Sequence, residues 1–149
     1  MISPQRTRRN AEETMDVISG NIVDAAMKVH TLLGPGLLDS TYETCLKHEL
    51  IKRGRRVDTQ VALPIRYEDI TLDAGYRLDM LVDLKIILEL KSVEKILPIH
   101  EAQLLSYLRL SNMQIGILIN FNVIHLKDGI KRMVNNYRPQ RSSASSAVK

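Results

Sequence analysis

The sequence predicts an α/β (α+β) fold, with a mixed central sheet of about four strands flanked by helices. Ile22, Ala25, Ala26, Val29, Leu32 and Leu33 recur at three and four, the period of a helix laid against a core. The run from Tyr76 to Lys91, YRLDMLVDLKIILELK, breaks instead into apolar stretches too short for helices, and it reads as two adjacent strands joined by a tight turn. Gln114–Ile119, QIGILI, is almost continuously apolar and suits a strand covered on both faces.

A chain of 149 residues with 44% apolar side chains can build one domain around an ordinary core. Residues 1–16 are expected to form a flexible basic arm, 17–136 the folded domain and 137–149 a disordered Ser-rich tail. Arg6, Arg8 and Arg9 at one end and Arg138, Arg141 and Lys149 at the other exceed the net charge of +4, so residues 11–137 carry −2. The basic balance therefore lives in the arms, as nonspecific phosphate affinity or as plainly solvated ends. Phe121 and five Tyr are the only aromatics, and no stacking platform for single strands stands out. The single Cys45 excludes an internal disulfide and suits a reducing, cytoplasmic setting. No apolar run nears membrane-spanning length, and the opening MISPQRTRRN lacks the apolar stretch of a signal peptide, so no membrane partner is expected.

Taken in order, the first helix should run from about Ile18 to the Gly34-Pro35-Gly36 stop. A second should start at Asp39 or Ser40 and end at Gly54, burying Tyr42, Cys45, Leu46 and Leu50. Glu43 lies at the edge of that stripe, where it either closes a Ser40-x-x-Glu43 capping box or looks toward a site. Val57, Thr59, Val61, Leu63, Ile65 and Tyr67 alternate as in a half-buried strand, and Pro64 puts that strand at an edge or marks a bulge. Glu68-Asp69 is a turn, after which Ile70 leads into the strand holding Asp79. Pro98 opens a third helix packed by Leu104, Leu105 and Leu108. On a neighbouring stripe, His100, Gln103 and Tyr107 share one face and could border a cleft. Leu126–Val134 suggests a last short helix.

The chemistry concentrates in the predicted hairpin. Nine residues separate Asp79 from Glu89, a spacing that a hairpin folds back so that both carboxylates reach one point. Glu89 and Lys91 are two apart and face the same side of a strand, as do Arg77 and Asp79. Arg77 could pair the carboxylates or take a phosphate. Charges on apolar strands need compensation, which a divalent cation supplies. Mg²⁺ accepts one or two carboxylates, a backbone carbonyl and water as a sufficient site. The plainer alternative is a structural ion pair of Lys91 with Glu89 or Asp79, because an Asp followed by Glu-x-Lys is a weak motif alone.

The order of these blocks resembles the PD-(D/E)xK nuclease superfamily, with its restriction-endonuclease-like core, and more closely the GxxExxxR family. The matching segments are LLGPGLLDSTYE at 32–43, YRLDMLVDLKIILELKSVE at 76–94, HEAQLLSYLRL at 100–110 and IGILINFNVIHLKDGIKRMV at 115–134. The resemblance implies Asp79, Glu89 and the Leu90 carbonyl as metal ligands, Lys91 as the catalytic lysine and Glu43 as a helical acid completing or supporting the site. Gln103 and Tyr107 match the Gln-x-x-x-Tyr element of RecB-like branches, which lines the DNA channel, with Arg77 and His100 beside it. One departure is that the glycine-rich block ends in Asp39 instead of Glu, and Glu43 stands where the family has Arg. Asp39 would then serve as a helix cap. The implied activity is metal-dependent hydrolysis of DNA with Mg²⁺, or Mn²⁺ in its place, by a monomer or a C₂ homodimer. The alternatives are a catalytically silent nucleic-acid-binding or assembly module of the same fold, and a structural or partner-docking protein whose charges pair among themselves.

Overall fold

The computed structural model describes residues 14–135. Helices α1 (Met15–Leu33) and α2 (Asp39–Lys52) come first, followed by strands β1 (Val57–Ala62), β2 (Ile65–Tyr67), β3 (Ile70–Leu72), β4 (Arg77–Val82) and β5 (Ile86–Lys91). Helix α3 (Pro98–Ser111), strand β6 (Ile115–Asn120), a 3₁₀ turn (Leu126–Gly129) and strand β7 (Ile130–Val134) complete the order. Most of the expected basic arm, residues 1–13, and the Ser-rich tail from 136 lie outside the described residues. Helix α1 begins inside the segment expected to belong to the arm, and Asp16 in its first turn accepts from Arg132 Nη2 at 3.0 Å.

Five strands form the main sheet in the order β1-β4-β5-β6-β7. Only β5 and β6 run parallel, and α3 is their crossover, as a parallel pair requires. β5 is buried at Ile86, Ile87, Leu88, Glu89 and Leu90. Alternation divides it between two cores: Ile86, Leu88 and Leu90 pack with Ile22, Tyr42 and Leu46 of α1 and α2, while Ile87 packs with Leu104 and Leu108 of α3. The helix pair thus covers one face of the sheet and α3 the other.

The local chemistry explains the boundaries. Thr14 Oγ1 caps α1 by accepting from the Val17 amide at 3.2 Å, and Gly34 ends the helix at φ 73°, a backbone conformation glycine adopts freely. Tyr42 accepts from the Leu37 amide, donates to the Gly34 carbonyl and stacks on Phe121 with ring centroids 4.4 Å apart. These bonds hold the Gly-Pro-Gly loop against the end of the sheet. The turn after β4 puts Asp83 and Leu84 in left-handed conformations, and Asp83 is secured by the Arg56 amide at 2.9 Å and Arg55 Nη1 at 2.8 Å.

Three expectations change. The alternating run breaks at Leu63-Pro64, so β1 is an edge strand of the main sheet, while β2 and β3 form their own hairpin. Ile70 therefore opens β3, and β4 is reached only after Gly75. The expected terminal helix is a 3₁₀ turn followed by β7, which gives the main sheet its fifth strand. The reason is local: a Cβ at Gly129 would collide with the Asn120 carbonyl oxygen, so the chain passes close against β6 and pairs with it. Gly129→Ala is expected to lower stability by about 1–3 kcal/mol, because backbone must move to admit the methyl group. Chemical denaturation should read this as a lower midpoint at unchanged slope.

Candidate active site

Strands β4 and β5 pair only through Met80–Val82 and Ile86–Leu88. The next pair in that register is Asp79 with Glu89, and there the ladder opens. The Asp79 amide donates to Glu89 Oε2 at 3.0 Å, and the Leu90 amide donates to Asp79 Oδ2 at 2.9 Å. β4 continues to pair with β1 as far as Arg77, and β5 with β6 as far as Lys91, so only the central pair forks. Each carboxylate accepts a strand amide freed by the fork, which is why charged side chains are tolerated on two buried strands.

The carboxylates still lack enough positive charge. Glu89 is 5% exposed, and burial first, then the charge of Asp79, pushes its carboxyl up to about 8. Burial raises Asp79 too, against the pull of the Leu90 amide and of Lys91. Lys91 lies near enough for its charge to lower both acids, yet no ion pair within 4.0 Å joins it to a carboxylate among the described residues. The structural ion pair weighed as the plainer alternative is not formed. The donor set suits a hard divalent cation: two carboxylates with an excess of negative charge, beside a main-chain carbonyl.

Glu43 does not close a capping box. Leu38 is the N-cap of α2 and makes no side-chain cap bond, while Glu43 Oε1 accepts from Gln60 Nε2 at 3.0 Å. Asp39 is likewise not the cap; it is the first residue of the helix. Burial and the charge of Asp79 raise the Glu43 carboxyl, while the Gln60 bond lowers it. Glu43 therefore stands beside Asp79, although among the described residues no three His, Cys, Asp or Glu side chains converge as a ready cage. Asp79 and Glu89 are brought together directly, and Glu43 joins them only by its field.

Gln60 is the site residue that sequence reasoning missed. It falls opposite Asp79 in the β1–β4 register, between Thr59↔Met80 and Val61↔Leu78, and adopts φ 51°, a rare conformation outside glycine. The only sequence signal was a polar residue inside an alternating strand. Its partner depends on register and on where α2 crosses β1.

From the other face, α3 presents its row. Gln103 Nε2 donates to Tyr107 Oη at 3.1 Å. Burial first, then the charge of Glu89, raises the Tyr107 hydroxyl above its ordinary value. His100 is partly committed elsewhere, since its Nδ1 accepts from the Leu97 amide at 3.0 Å at the start of the helix. His100, Gln103 and Tyr107 all line a cleft of about 620 Å³ between α3 and the β2–β3 hairpin. Arg77 is exposed at the mouth of the fork, where Nη1 donates to the Tyr76 carbonyl, and it pairs with neither acid.

A mixed sheet held between helices, with an Asp and a Glu-x-Lys on the two arms of a forked hairpin, defines a restriction-endonuclease-like domain. The family model of the PD-(D/E)XK nuclease superfamily matches residues 16–133, and the chain belongs to that superfamily. Its members are generally nucleases, acting on nucleic acid and typically using divalent metals. No curated protein and no solved structure gives a significant match. Among the described residues, no helix is long and apolar enough to cross a membrane.

Proposed function

We propose that this protein is a Mg²⁺-dependent nuclease that hydrolyses phosphodiester bonds of DNA, working in the cytoplasm. One observation carries the proposal: two mutually repelling carboxylates, Glu89 buried and Asp79 half-buried, held by strand amides in the β4–β5 fork, with a lysine nearby that pairs with neither. Asp79, Glu89 and the Leu90 carbonyl would hold the ion, with Glu43 supporting them. The N–H and C=O of one strand residue leave from the same edge, so the Leu90 carbonyl faces the gap its amide enters. When bound, Mg²⁺ or Mn²⁺ supplies a lowered water pKa and polarises the phosphoryl oxygen.

The remaining work belongs to the chain. The Lys91 ammonium positions the attacking water through hydrogen bonds and steadies the charge that develops on the phosphate. Arg77 takes a neighbouring phosphate, and Gln103, Tyr107 and His100 guide the strand along α3, with the Gln103 amide nearest the reacting group. The assignments within the GxxExxxR family and the Gln-x-x-x-Tyr branch rest on these residues and form part of the same proposal. Isothermal titration with Mn²⁺, paired with cleavage assays on single-stranded, duplex and branched DNA, tests it. Saturable binding and metal-dependent cleavage are expected, and absence of both overturns the reading. The silent-module alternative has in its favour that among the described residues no three His, Cys, Asp or Glu side chains converge; it expects salt-sensitive DNA binding without turnover. Light scattering separates a monomer, suited to cutting one strand, from a C₂ dimer suited to cutting two.

Gln60→Ala should release the Glu43 carboxylate and raise the Mn²⁺ concentration needed for half-maximal cleavage about tenfold, as losing a supporting hydrogen bond does at metal sites. Because that bond holds the Glu43 carboxyl down, the acid limb of the pH profile should move upward as well.

A further inference from the structure

The cleft beside the fork belongs to no metal ligand and contains no Lys, Arg, Asp or Glu. Its walls are Leu72 and Tyr76 on one side and Ile99, Gln103, Tyr107 and Leu110 on the other. Leu72 and Tyr76 are each 45% exposed and Ile99 67% exposed, a contiguous apolar surface of the kind that marks a binding site. Tyr76 and Tyr107 meet edge to face with centroids 6.3 Å apart, so tertiary structure assembles an aromatic corner that composition alone does not suggest.

We infer that this cleft receives an unpaired nucleobase of the substrate, which makes single-stranded or frayed DNA the preferred substrate over continuous duplex. The inference rests on the nuclease reading and names the substrate form for that same site. A phosphate backbone needs cations, and the cleft offers none. A base needs apolar walls, an aromatic ring and a hydrogen-bonding group for its edge: Tyr76 provides the exposed ring, Tyr107, only 7% exposed, backs it, and the exposed Gln103 provides the amide. Continuity with the fork sets the position. Tyr76 lines the cleft and stands just before β4, three residues ahead of Asp79 on the same chain segment, so the seated base belongs to a nucleotide near the scissile phosphate. Arg77, the residue after Tyr76, is exposed, and its Nη1 donates to the Tyr76 carbonyl outside the cleft lining. In a closed duplex the base edges are paired and stacked, and reaching this corner would require the base to be extruded.

The full chain should be tested with one oligonucleotide carrying 2-aminopurine, offered single-stranded and in duplex. Binding is followed by anisotropy and base fluorescence in metal-free buffer at fixed salt, and cleavage separately in Mg²⁺. The single strand is expected to bind about tenfold more tightly than duplex, with a change in base fluorescence. Tyr76→Ala should erase the preference while leaving duplex affinity unchanged, and Tyr76→Phe should retain it. Ile99→Ser, at an exposed position, serves as the second variant and should weaken single-strand binding in the same direction. Equal binding of both forms, or a Tyr76→Ala protein that behaves as wild type, overturns the inference even if cleavage is robust. Base-sensitive binding without cleavage upholds the cleft and removes the nuclease reading. A dimer that dissociates in Ile99→Ser without loss of the base signal would assign this face to a second copy and overturn the inference.

Discussion

Asp79→Asn and Lys91→Ala should each reduce DNA cleavage by about 10²–10⁴-fold, and for reasons a binding experiment separates. Asparagine keeps the shape of the side chain and an oxygen for the Leu90 amide, but it removes the carboxylate that would ligate the ion. Calorimetry should then find Mn²⁺ binding lost together with activity. Lys91 contributes no ligand in this scheme and makes no ion pair among the described residues, so its truncation should leave Mn²⁺ affinity nearly unchanged while kcat collapses. Wild-type cleavage by either variant would remove the fork from the reaction. Loss of Mn²⁺ binding in Lys91→Ala would instead make the lysine a structural counter-charge.

Glu89→Gln should stabilise the metal-free protein at pH 8 while abolishing its activity. Glu89 binds its proton far more tightly folded, at about 8, than at the ordinary carboxylate value of 4.5. Between those values the native state holds more protons than the unfolded chain, so stability falls as pH rises from about 4.5 through about 8. Asp79 and Glu43 are raised as well and act in the same direction. Glu49 works oppositely: Arg53 holds its carboxyl down to about 2, so the stability it contributes is present above 4.5 and is lost as pH falls below that value. The metal-free protein should therefore be most stable near pH 5.

Glutamine mimics protonated Glu89: it can accept from the Asp79 amide and present an N–H donor toward the Asp79 carboxylate. Its expected gain at pH 8 is about 2–4 kcal/mol, or roughly 10 °C in Tm, shrinking toward zero at pH 5. Divalent cations should stabilise wild type more at pH 8 than at pH 5 and leave Glu89→Gln unaffected. A Tm independent of pH and metal in wild type would mean the fork carries no excess charge. Activity is here set against stability in one side chain, as expected where a site must stay electrostatically unsatisfied until its ion arrives.

The hairpin was readable in advance because a strand alternates with period two and a turn reverses it. Ile86, Ile87 and Leu88 mark a strand covered on both faces, and the three-residue turn between Val82 and Ile86 sets the register that brings Asp79 opposite Glu89. The helices were readable for the same reason, from periodicity and the stop at Gly34. Leu126–Val134 was misread because apolar residues at four-residue spacing fit a helix equally well. What the spacing does not show is that Gly129 lies against the Asn120 carbonyl and that the residues after it pair with β6.

By itself, then, the sequence determined which residues carry charge onto apolar strands and where the three helices, the β4–β5 hairpin and β6 lie, since these follow from local spacing and side-chain chemistry. Only the tertiary structure decided that β4 and β5 part at Asp79 and Glu89, that Gln60 rather than Ser40 engages Glu43, and that Tyr76 meets Tyr107 beside the fork. Those are contacts between segments whose separation along the chain says nothing about their distance in space. They are set by strand register and helix crossing, which only the packed whole determines.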